Sequence, residues 1–252
     1  MSVVKLKDIN VYYETKGKKK QSVILLHGWG QNTTMMDFIA EFLKTHFTVY
    51  NFDLPGFGKS DEPNETWGVQ DYTEMLHEFC EKKKIDKPII IGHSFGCRIA
   101  VRYAHKYGAY KMVLTGAAGV RDKRTLKWYI KVYSYKLGKK LLSLGLFKGL
   151  LTKLQQDAGS DDYKNTSGVM RSTFVKCVND DVTPLLKDVE AETLLVFGEN
   201  DDATPVSKGK LMESLMPNAA LVVFENDDHF AYFHQAARFN KVLEAFLRSD
   251  YE

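Results

Sequence analysis

Gly92-His93-Ser94-Phe95-Gly96 follows directly after the short apolar run Pro88–Ile91, and a helical pattern, Cys97–Lys106, begins behind it. A GxSxG sequence between a strand and a helix predicts a sharp turn that holds a serine hydroxyl clear of the backbone. Glycine at both flanking positions removes side chains that would collide with the neighbouring strand and helix. GxSxG alone arises often by chance, so the strand–turn–helix context carries the prediction.

The segments around this turn alternate between strand and helix patterns. Apolar or β-branched runs predict further strands at Val3–Leu6, Ile9–Glu14, Ser22–Leu26, Phe47–Phe52, Lys111–Thr115, Thr193–Phe197 and Ala220–Phe224. Helical periodicity predicts helices at Met35–Leu43, Val69–Lys83, Pro205–Leu215 and Phe239–Arg248. This alternation predicts βαβ units, and therefore an α/β fold with a mostly parallel sheet flanked by helices.

The stretch 120–190 interrupts the alternation. It has helical patterns broken by glycines at Gly138, Gly145, Gly149, Gly159 and Gly168. We therefore expect a core in two parts, residues 1–119 and 191–252, with residues 120–190 inserted as a helical cap. A single elaborate crossover between two strands is the alternative.

A second glycine-rich turn, His27-Gly28-Trp29-Gly30, also follows an apolar strand. Acyl transfer places negative charge on a carbonyl oxygen, and two backbone N–H groups are needed to stabilise it. The residue after the nucleophile, Phe95, supplies one such group, and we expect the other at Trp29. His27 and His93 adjoin these two turns and are candidates for lining the pocket; simple packing in the interior is the alternative for both.

Two acidic turns follow later strands. Gly198-Glu199-Asn200-Asp201-Asp202 comes after Thr193–Phe197, and Asp227-Asp228-His229 comes after Ala220–Phe224. The order of serine, acid and histidine suits a triad in which the histidine takes the serine proton and the acid fixes its tautomer. From spacing alone, three acids of the first turn compete for this role.

The chain resembles the α/β-hydrolase superfamily over nearly its whole length. HGWG, DLPGFGKS, GHSFG, GENDDATP and DDHF stand in the order and spacing of that family. The resemblance implies Ser94 as nucleophile, Asp201 as acid and His229 as base. It also implies an oxyanion hole formed by the backbone N–H groups of Trp29 and Phe95, and a helical cap where the alternation breaks.

Three positions need separate interpretation. Asp228 stands before the candidate base, where the family often has a small residue, and it either raises the basicity of the histidine or faces solvent. Cys97 stands where many members have glycine, and we interpret it as a packed helical thiol. Arg98 lies one helical turn after Ser94, as does a carboxylate-binding arginine in the menaquinone-pathway lyase of the superfamily; we favour a pairing with an acid elsewhere.

The motifs narrow the reaction. Haloalkane dehalogenases and related epoxide hydrolases carry aspartate at the position that corresponds to Ser94, whereas this chain has serine there. HGWG matches neither the HGGPG of proline iminopeptidases nor the longer GPG-containing turn of meta-cleavage C–C hydrolases. We expect hydrolysis of a small carboxylic ester through an acyl-enzyme. A lyase or C–C hydrolase using the same triad, or a ligand receptor that keeps a hydrolase pocket, is the alternative.

Composition limits the partners and the location. The net charge of +3, from 35 basic and 32 acidic residues, gives no argument for nucleic acid. Three widely spaced cysteines and histidines without ligand spacing predict neither a disulfide framework nor a metal, and no cofactor is implied. The first residues have no signal-peptide pattern and no stretch suits a membrane span, so we expect a cytoplasmic protein with a small-molecule substrate.

A basic segment within the expected cap raises one further question. Residues 121–153 carry many lysines and arginines but a single acid, Asp122, and apolar residues recur at roughly helical spacing. We interpret this segment as a lid whose apolar face covers the active site. A lid that contacts an anionic membrane surface is the alternative.

Overall fold

The computed structural model describes residues 2–121, 163 and 166–251. The strands are β1 (Ser2–Leu6), β2 (Ile9–Lys16), β3 (Ser22–Leu26), β4 (Thr48–Phe52), β5 (Ile89–His93), β6 (Lys111–Thr115), β7 (Glu192–Gly198) and β8 (Ala219–Phe224). The α-helices are α1 (Asp37–Leu43), α2 (Val69–Lys83), α3 (Phe95–Tyr107), α4 (Gly168–Val178), α5 (Val206–Leu215), α6 (Ala231–His234) and α7 (Ala236–Leu247). Short 3-10 helices span Thr33–Met36, Thr183–Asp188 and Arg248–Asp250.

In the described part of the chain the eight strands form one sheet, in the order β1–β2–β4–β3–β5–β6–β7–β8. β2 runs antiparallel to both of its neighbours, and all strands from β4 to β8 in this order are parallel. The predicted α/β fold is confirmed. The carboxyl ends of parallel strands share one edge, so the turns after β3, β5, β7 and β8 lie along that edge.

Helices cover both faces of the sheet. Along β5, Ile90 belongs to a core that includes residues of α2 and α3, whereas Ile89 and Ile91 belong to a second core with residues of α1 and α7. Successive side chains of a strand point to opposite faces, and both faces here are buried. Because both faces of the sheet are buried, the parallel strands are continuous apolar runs in the sequence.

Some boundaries differ from the sequence expectation. The helix predicted from Met35 begins earlier, as a 3-10 helix at Thr33, because the Asn32 side chain accepts a hydrogen bond from the Thr34 N–H. The helix predicted from Phe239 begins at Ala236, directly after the short helix α6, which the sequence analysis did not predict.

Much of the predicted cap lies outside the described residues. This applies to the basic segment over residues 122–153 and to the glycine breaks before Gly168. Of the stretch 120–190, the structure describes helix α4, the 3-10 helix Thr183–Asp188 and the chain around them. The Val182 N–H donates to the Gly119 carbonyl at 3.0 Å, and Leu186 is fully buried. The end of the stretch is thus anchored to the core, and its division as a separate cap remains a prediction.

No helix of the described residues has the length and apolar character needed to span a bilayer.

Candidate active site

Ser94 occupies a strained turn between β5 and α3. Its backbone has φ 47° and ψ −105°, a region that a residue with a side chain rarely adopts. Such strain costs about 1–3 kcal/mol and persists only where surrounding contacts enforce it. Here the Ser94 N–H donates to the Thr115 carbonyl at 3.0 Å, and the Ser94 carbonyl accepts from the Ala118 N–H at 3.4 Å. The end of β6 therefore holds the turn in place.

The two glycines that flank this turn are required by close packing. A Cβ at Gly96 would lie 2.2 Å from the Leu26 carbonyl oxygen, on the last residue of β3. A Cβ at Gly92 would lie 2.9 Å from the Cys97 backbone nitrogen. Real Cβ atoms do not approach backbone so closely, so α3 can start directly beside β3 and β5 only because both positions lack a side chain.

Asp201 is held by four hydrogen bonds in the turn after β7. Its Oδ1 accepts from the backbone N–H groups of Ala203 at 2.9 Å and Thr204 at 2.7 Å. Its Oδ2 faces the Thr204 hydroxyl and the His229 Nδ1, each at 2.7 Å. Burial alone would raise the pKa of Asp201, but these hydrogen bonds outweigh it and lower the pKa. The carboxylate is therefore ionised and fixed in direction.

The other acids of this turn point elsewhere. Glu199 is exposed, and its Oε2 accepts from the Asn226 N–H at 3.0 Å. Asp202 is exposed as well. Of the three acids in this turn, Asp201 contacts the His229 ring. It is also the residue that the resemblance implies as the acid.

His229 lies beside the turn that carries Ser94. Its ring centroid is 4.8 Å from that of His93, the residue before the serine. Because Nδ1 faces an ionised carboxylate, Nδ1 carries the proton of the neutral ring and Nε2 is the free base. Such a ring can accept a proton from a serine hydroxyl and return it to a leaving group.

The turn after β3 packs against the same turn. The Trp29 ring contacts Phe95 edge-on, at a centroid distance of 5.3 Å, and the Gly28 N–H donates to the Gln31 side chain at 2.9 Å. Within the described chain, neither the Trp29 nor the Phe95 N–H donates to a protein acceptor. Both groups are free to stabilise negative charge on a substrate oxygen.

The two histidines named as candidates for lining the pocket have no exposed surface. His27 contacts the Gly28 carbonyl through Nδ1 at 2.7 Å, and its Nε2 accepts from the Leu54 N–H at 2.9 Å. His93 places Nδ1 3.0 Å from the Thr115 hydroxyl. Burial lowers the pKa of His27 to about 4 and that of His93 well below its ordinary value. Burial thus keeps both rings neutral, and neither is among the described residues that line the cavity.

Cys97 and Arg98 lie in the first turn of α3, directly after the turn that carries Ser94. Cys97 is fully buried, and burial raises the pKa of its thiol, as suits a packed cysteine. The Arg98 guanidinium donates to the carbonyls of Val178 and Asp180, behind α4. Among the described residues, Arg98 therefore binds these backbone carbonyls, and the expected hydrogen-bonded pairing with an acid is not seen there.

The loop before His229 is polar and partly exposed. The Asp228 side chain is 57% exposed, and its Oδ1 accepts from the Phe230 N–H at 2.8 Å. Asp228 thus faces solvent and stabilises the turn. Asp227 binds the His234 ring at 2.8 Å through Oδ1, so the carboxylates of this loop serve to fix its shape.

A cavity of about 650 Å³ opens next to these turns. The described residues that line it are Trp29, Gly30, Gln31, Met35, Gly56, Phe57, Glu62, Thr166, Ser167, Met170 and Phe230. Trp29 belongs to the candidate oxyanion turn and Phe230 follows His229 in the chain. The cavity therefore lies beside the candidate catalytic residues. Its wall carries aromatic and thioether groups, and Glu62 is the ionisable side chain among its described lining residues.

Sequence reasoning missed Thr204, which contacts both Asp201 and His229. Its signal in the sequence is a hydroxyl three residues after the acid, in Asp201-Asp202-Ala203-Thr204. Aspartate side chains often accept hydrogen bonds from residues two and three positions further on, so this spacing predicts part of the contact.

Comparison with known proteins identifies the family of the fold. The family model for the alpha/beta hydrolase fold matches residues 21–236. A proline iminopeptidase of Saccharolobus solfataricus is 26% identical, over 96% of this chain and 90% of its own. A 2-hydroxy-6-oxononadienedioate/2-hydroxy-6-oxononatrienedioate hydrolase of Pseudomonas putida is also 26% identical, over 95% and 92%.

A thermophilic esterase from Thermogutta terrifontis superimposes with a TM-score of 0.73, at 19% identity, over 100% of this chain and 99% of its own. At this identity the likeness concerns the fold alone. Together with the match of the family model over most of the sequence, the strained serine turn and the sheet order establish the classification. The chain belongs to the alpha/beta hydrolase fold family.

Proposed function

We propose that this protein is a serine hydrolase that cleaves a small carboxylic ester through an acyl-enzyme. Ser94 is the nucleophile, His229 the general base and Asp201 the acid that orients the base; the N–H groups of Trp29 and Phe95 form the oxyanion hole. The observation that carries the proposal is the 2.7 Å contact between His229 Nδ1 and the buried Asp201 Oδ2, next to the strained turn at Ser94.

The reaction follows from this geometry. His229 Nε2 takes the Ser94 proton while the oxygen attacks the ester carbonyl, and the oxyanion is stabilised by the two backbone N–H groups. The histidine then gives the proton to the leaving alcohol, which forms the acyl-enzyme. Water activated by the same ring cleaves that intermediate and restores the serine.

The cavity lining supports a neutral or weakly polar ester. Its described wall combines aromatic and methionine side chains with the uncharged polar side chains of Gln31, Thr166 and Ser167, and its described ionisable group is the carboxylate of Glu62. The alternative, C–C cleavage of a dienoate, is suggested by relatives named for such substrates. Those substrates carry carboxylates, whereas the nearby Arg98 is bound to backbone carbonyls. The described residues thus favour the ester over the dienoate.

The test is covalent labelling with a fluorophosphonate probe, combined with turnover of a panel of short esters. We expect the wild-type protein to be labelled and to hydrolyse esters, and Ser94→Ala to lose both properties, with kcat lower by on the order of 10⁶. A folded Ser94→Ala variant that keeps wild-type turnover contradicts the proposal. Turnover of a dienoate but of no ester would favour the C–C hydrolase instead.

A further inference from the structure

The Thr204 hydroxyl lies at the junction of the candidate acid and base. Its Oγ1 is 2.7 Å from Asp201 Oδ2 and 3.2 Å from His229 Nδ1. Asp201 Oδ2 is itself 2.7 Å from His229 Nδ1, so the three polar atoms form a closed triangle. Only 8% of the Thr204 surface is exposed, and water has little access to this triangle from the side of the threonine.

The position of the protons in this triangle follows from the donors available. A threonine hydroxyl has one proton, and an ionised carboxylate is a stronger acceptor than an imidazole nitrogen. The Thr204 proton therefore lies on the shorter line, toward Asp201 Oδ2. The hydroxyl oxygen is left with lone pairs on the side of His229, and Nδ1 then faces two acceptors and no donor.

Thr204 is itself held rigidly. Its backbone N–H donates to Asp201 Oδ1 at 2.7 Å, so one residue binds both oxygens of the carboxylate. Its side chain is branched at Cβ, which restricts rotation about χ1. The hydroxyl consequently cannot turn away from the acid without loss of this arrangement.

We propose that Thr204 is a positioning residue whose hydroxyl fixes the Asp201 carboxylate and keeps the His229 ring in its Nδ1–H form. In that form Nε2 is free to take the proton of Ser94. The kinetic consequence rests on the proposed function, whereas the consequence for the ring tautomer does not. Loss of the hydroxyl frees Oδ2 to rotate and removes one of the two acceptors that face Nδ1.

Kinetics of three variants test the first consequence. Thr204→Val should lower kcat for ester hydrolysis about 10- to 100-fold, the range expected for one hydrogen bond to a charged group. KM should change little, because Thr204 is not among the cavity-lining residues. Thr204→Ser should recover most of the rate. The matched control is Thr193→Val, at the other end of β7, where a buried hydroxyl donates to the Ala191 carbonyl at 2.8 Å; its kcat should be unchanged.

The second test reads the histidine directly. In protein with ¹⁵N-labelled histidine, with the His229 signals identified by their loss in His229→Gln, the wild type should show the Nδ1–H tautomer. Thr204→Val should show a mixture that includes the Nε2–H form, and Thr204→Ser should resemble the wild type. A Thr204→Val variant with wild-type kcat and wild-type tautomer overturns the inference. If the wild type neither reacts with fluorophosphonate nor hydrolyses esters, the proposed function fails, and the tautomer measurement still decides the role of Thr204.

Discussion

Asp201 and Asp202 are neighbours in the chain but have opposite surroundings. Asp201 is 3% exposed and contacts His229, the candidate base, whereas Asp202 is exposed. Asp201→Asn should lower kcat by as much as ~10⁴, because an amide that donates toward Nδ1 favours the wrong histidine tautomer. Asp202→Asn should leave kcat nearly unchanged. Steady-state kinetics of both variants on one ester make the comparison.

The reverse ranking of these two variants would contradict the assignment of the acid. If neither affects kcat, the carboxylate that serves His229 lies elsewhere, for example after β6. Circular dichroism of both variants controls for misfolding, since Asp201 also accepts two backbone N–H groups of its own turn.

The sequence predicts the contacts of single residues only where a motif fixes the backbone. Spacing alone leaves three acids of the turn after β7 open, and the resemblance of GENDDATP to the family pattern implies Asp201. Adjacency to the two glycine-rich turns made His27 and His93 pocket candidates, yet both are fully buried. A position next to a turn does not show on which side of the turn the ring packs. The side depends on contacts with residues far away in the sequence, such as Thr115 of β6.

At the scale of elements, the described end of the expected cap is bound to α3, the helix that begins directly after Ser94. Arg102 of α3 binds Asp180 with both ends of its guanidinium, at 2.9 Å from Nε and 2.5 Å from a terminal nitrogen. Asp180 follows α4, and α4 carries Phe174, whose ring contacts Trp29 at a centroid distance of 5.0 Å. This ion pair thus links α3 to one wall of the candidate site.

A double-mutant cycle on this pair should give a coupling free energy of about 1–3 kcal/mol, as expected for a bidentate, partly buried contact. The cycle uses Arg102→Met, Asp180→Asn and the double variant, with the free energy of unfolding measured in urea. The control cycle is the exposed pair Lys5–Asp8, separated by 3.5 Å, where coupling should not exceed about 1 kcal/mol. Equal coupling in both cycles would mean that the contact between Arg102 and Asp180 is no stronger than an exposed one.

The apolar patterns predict which elements form, whereas the ends of a strand depend on its pairing with neighbouring strands. β3, α2 and β6 have the bounds that the sequence indicates, but β5 and β7 extend past their apolar runs to His93 and Gly198, because strand pairing continues there. Gly168, expected as a break between helices, is the first residue of α4. Its φ of 52° suits glycine, and such a conformation is compatible both with a break and with the start of a helix, so the glycine alone does not predict where α4 begins.

At the scale of the whole molecule, the sheet buries titratable rings in its centre. His27 and His93 are fully buried, and burial holds the pKa of His27 at about 4 and that of His93 well below the ordinary value. In the unfolded chain, histidines take up protons near pH 6.5. Between that pH and about 4 the unfolded state therefore binds more protons than the folded state, and protons favour unfolding.

This difference predicts that the free energy of unfolding falls as pH is lowered from about 6.5 toward 4. Each buried neutral histidine contributes as much as about 1.4 kcal/mol per pH unit in that window. Carboxylates with a lowered pKa, such as Glu41 with a pKa of about 2, lose their contribution to stability at lower pH, below their unfolded pKa values near 4.5.

The free energy of unfolding, measured in urea between pH 5 and 6.5, reports mainly on the histidines. His27→Gln should reduce the slope whatever its overall stability, and the exposed control His105→Gln should not. A slope unchanged by His27→Gln would show that His27 is protonated in the folded protein, or that its pKa is not lowered by burial.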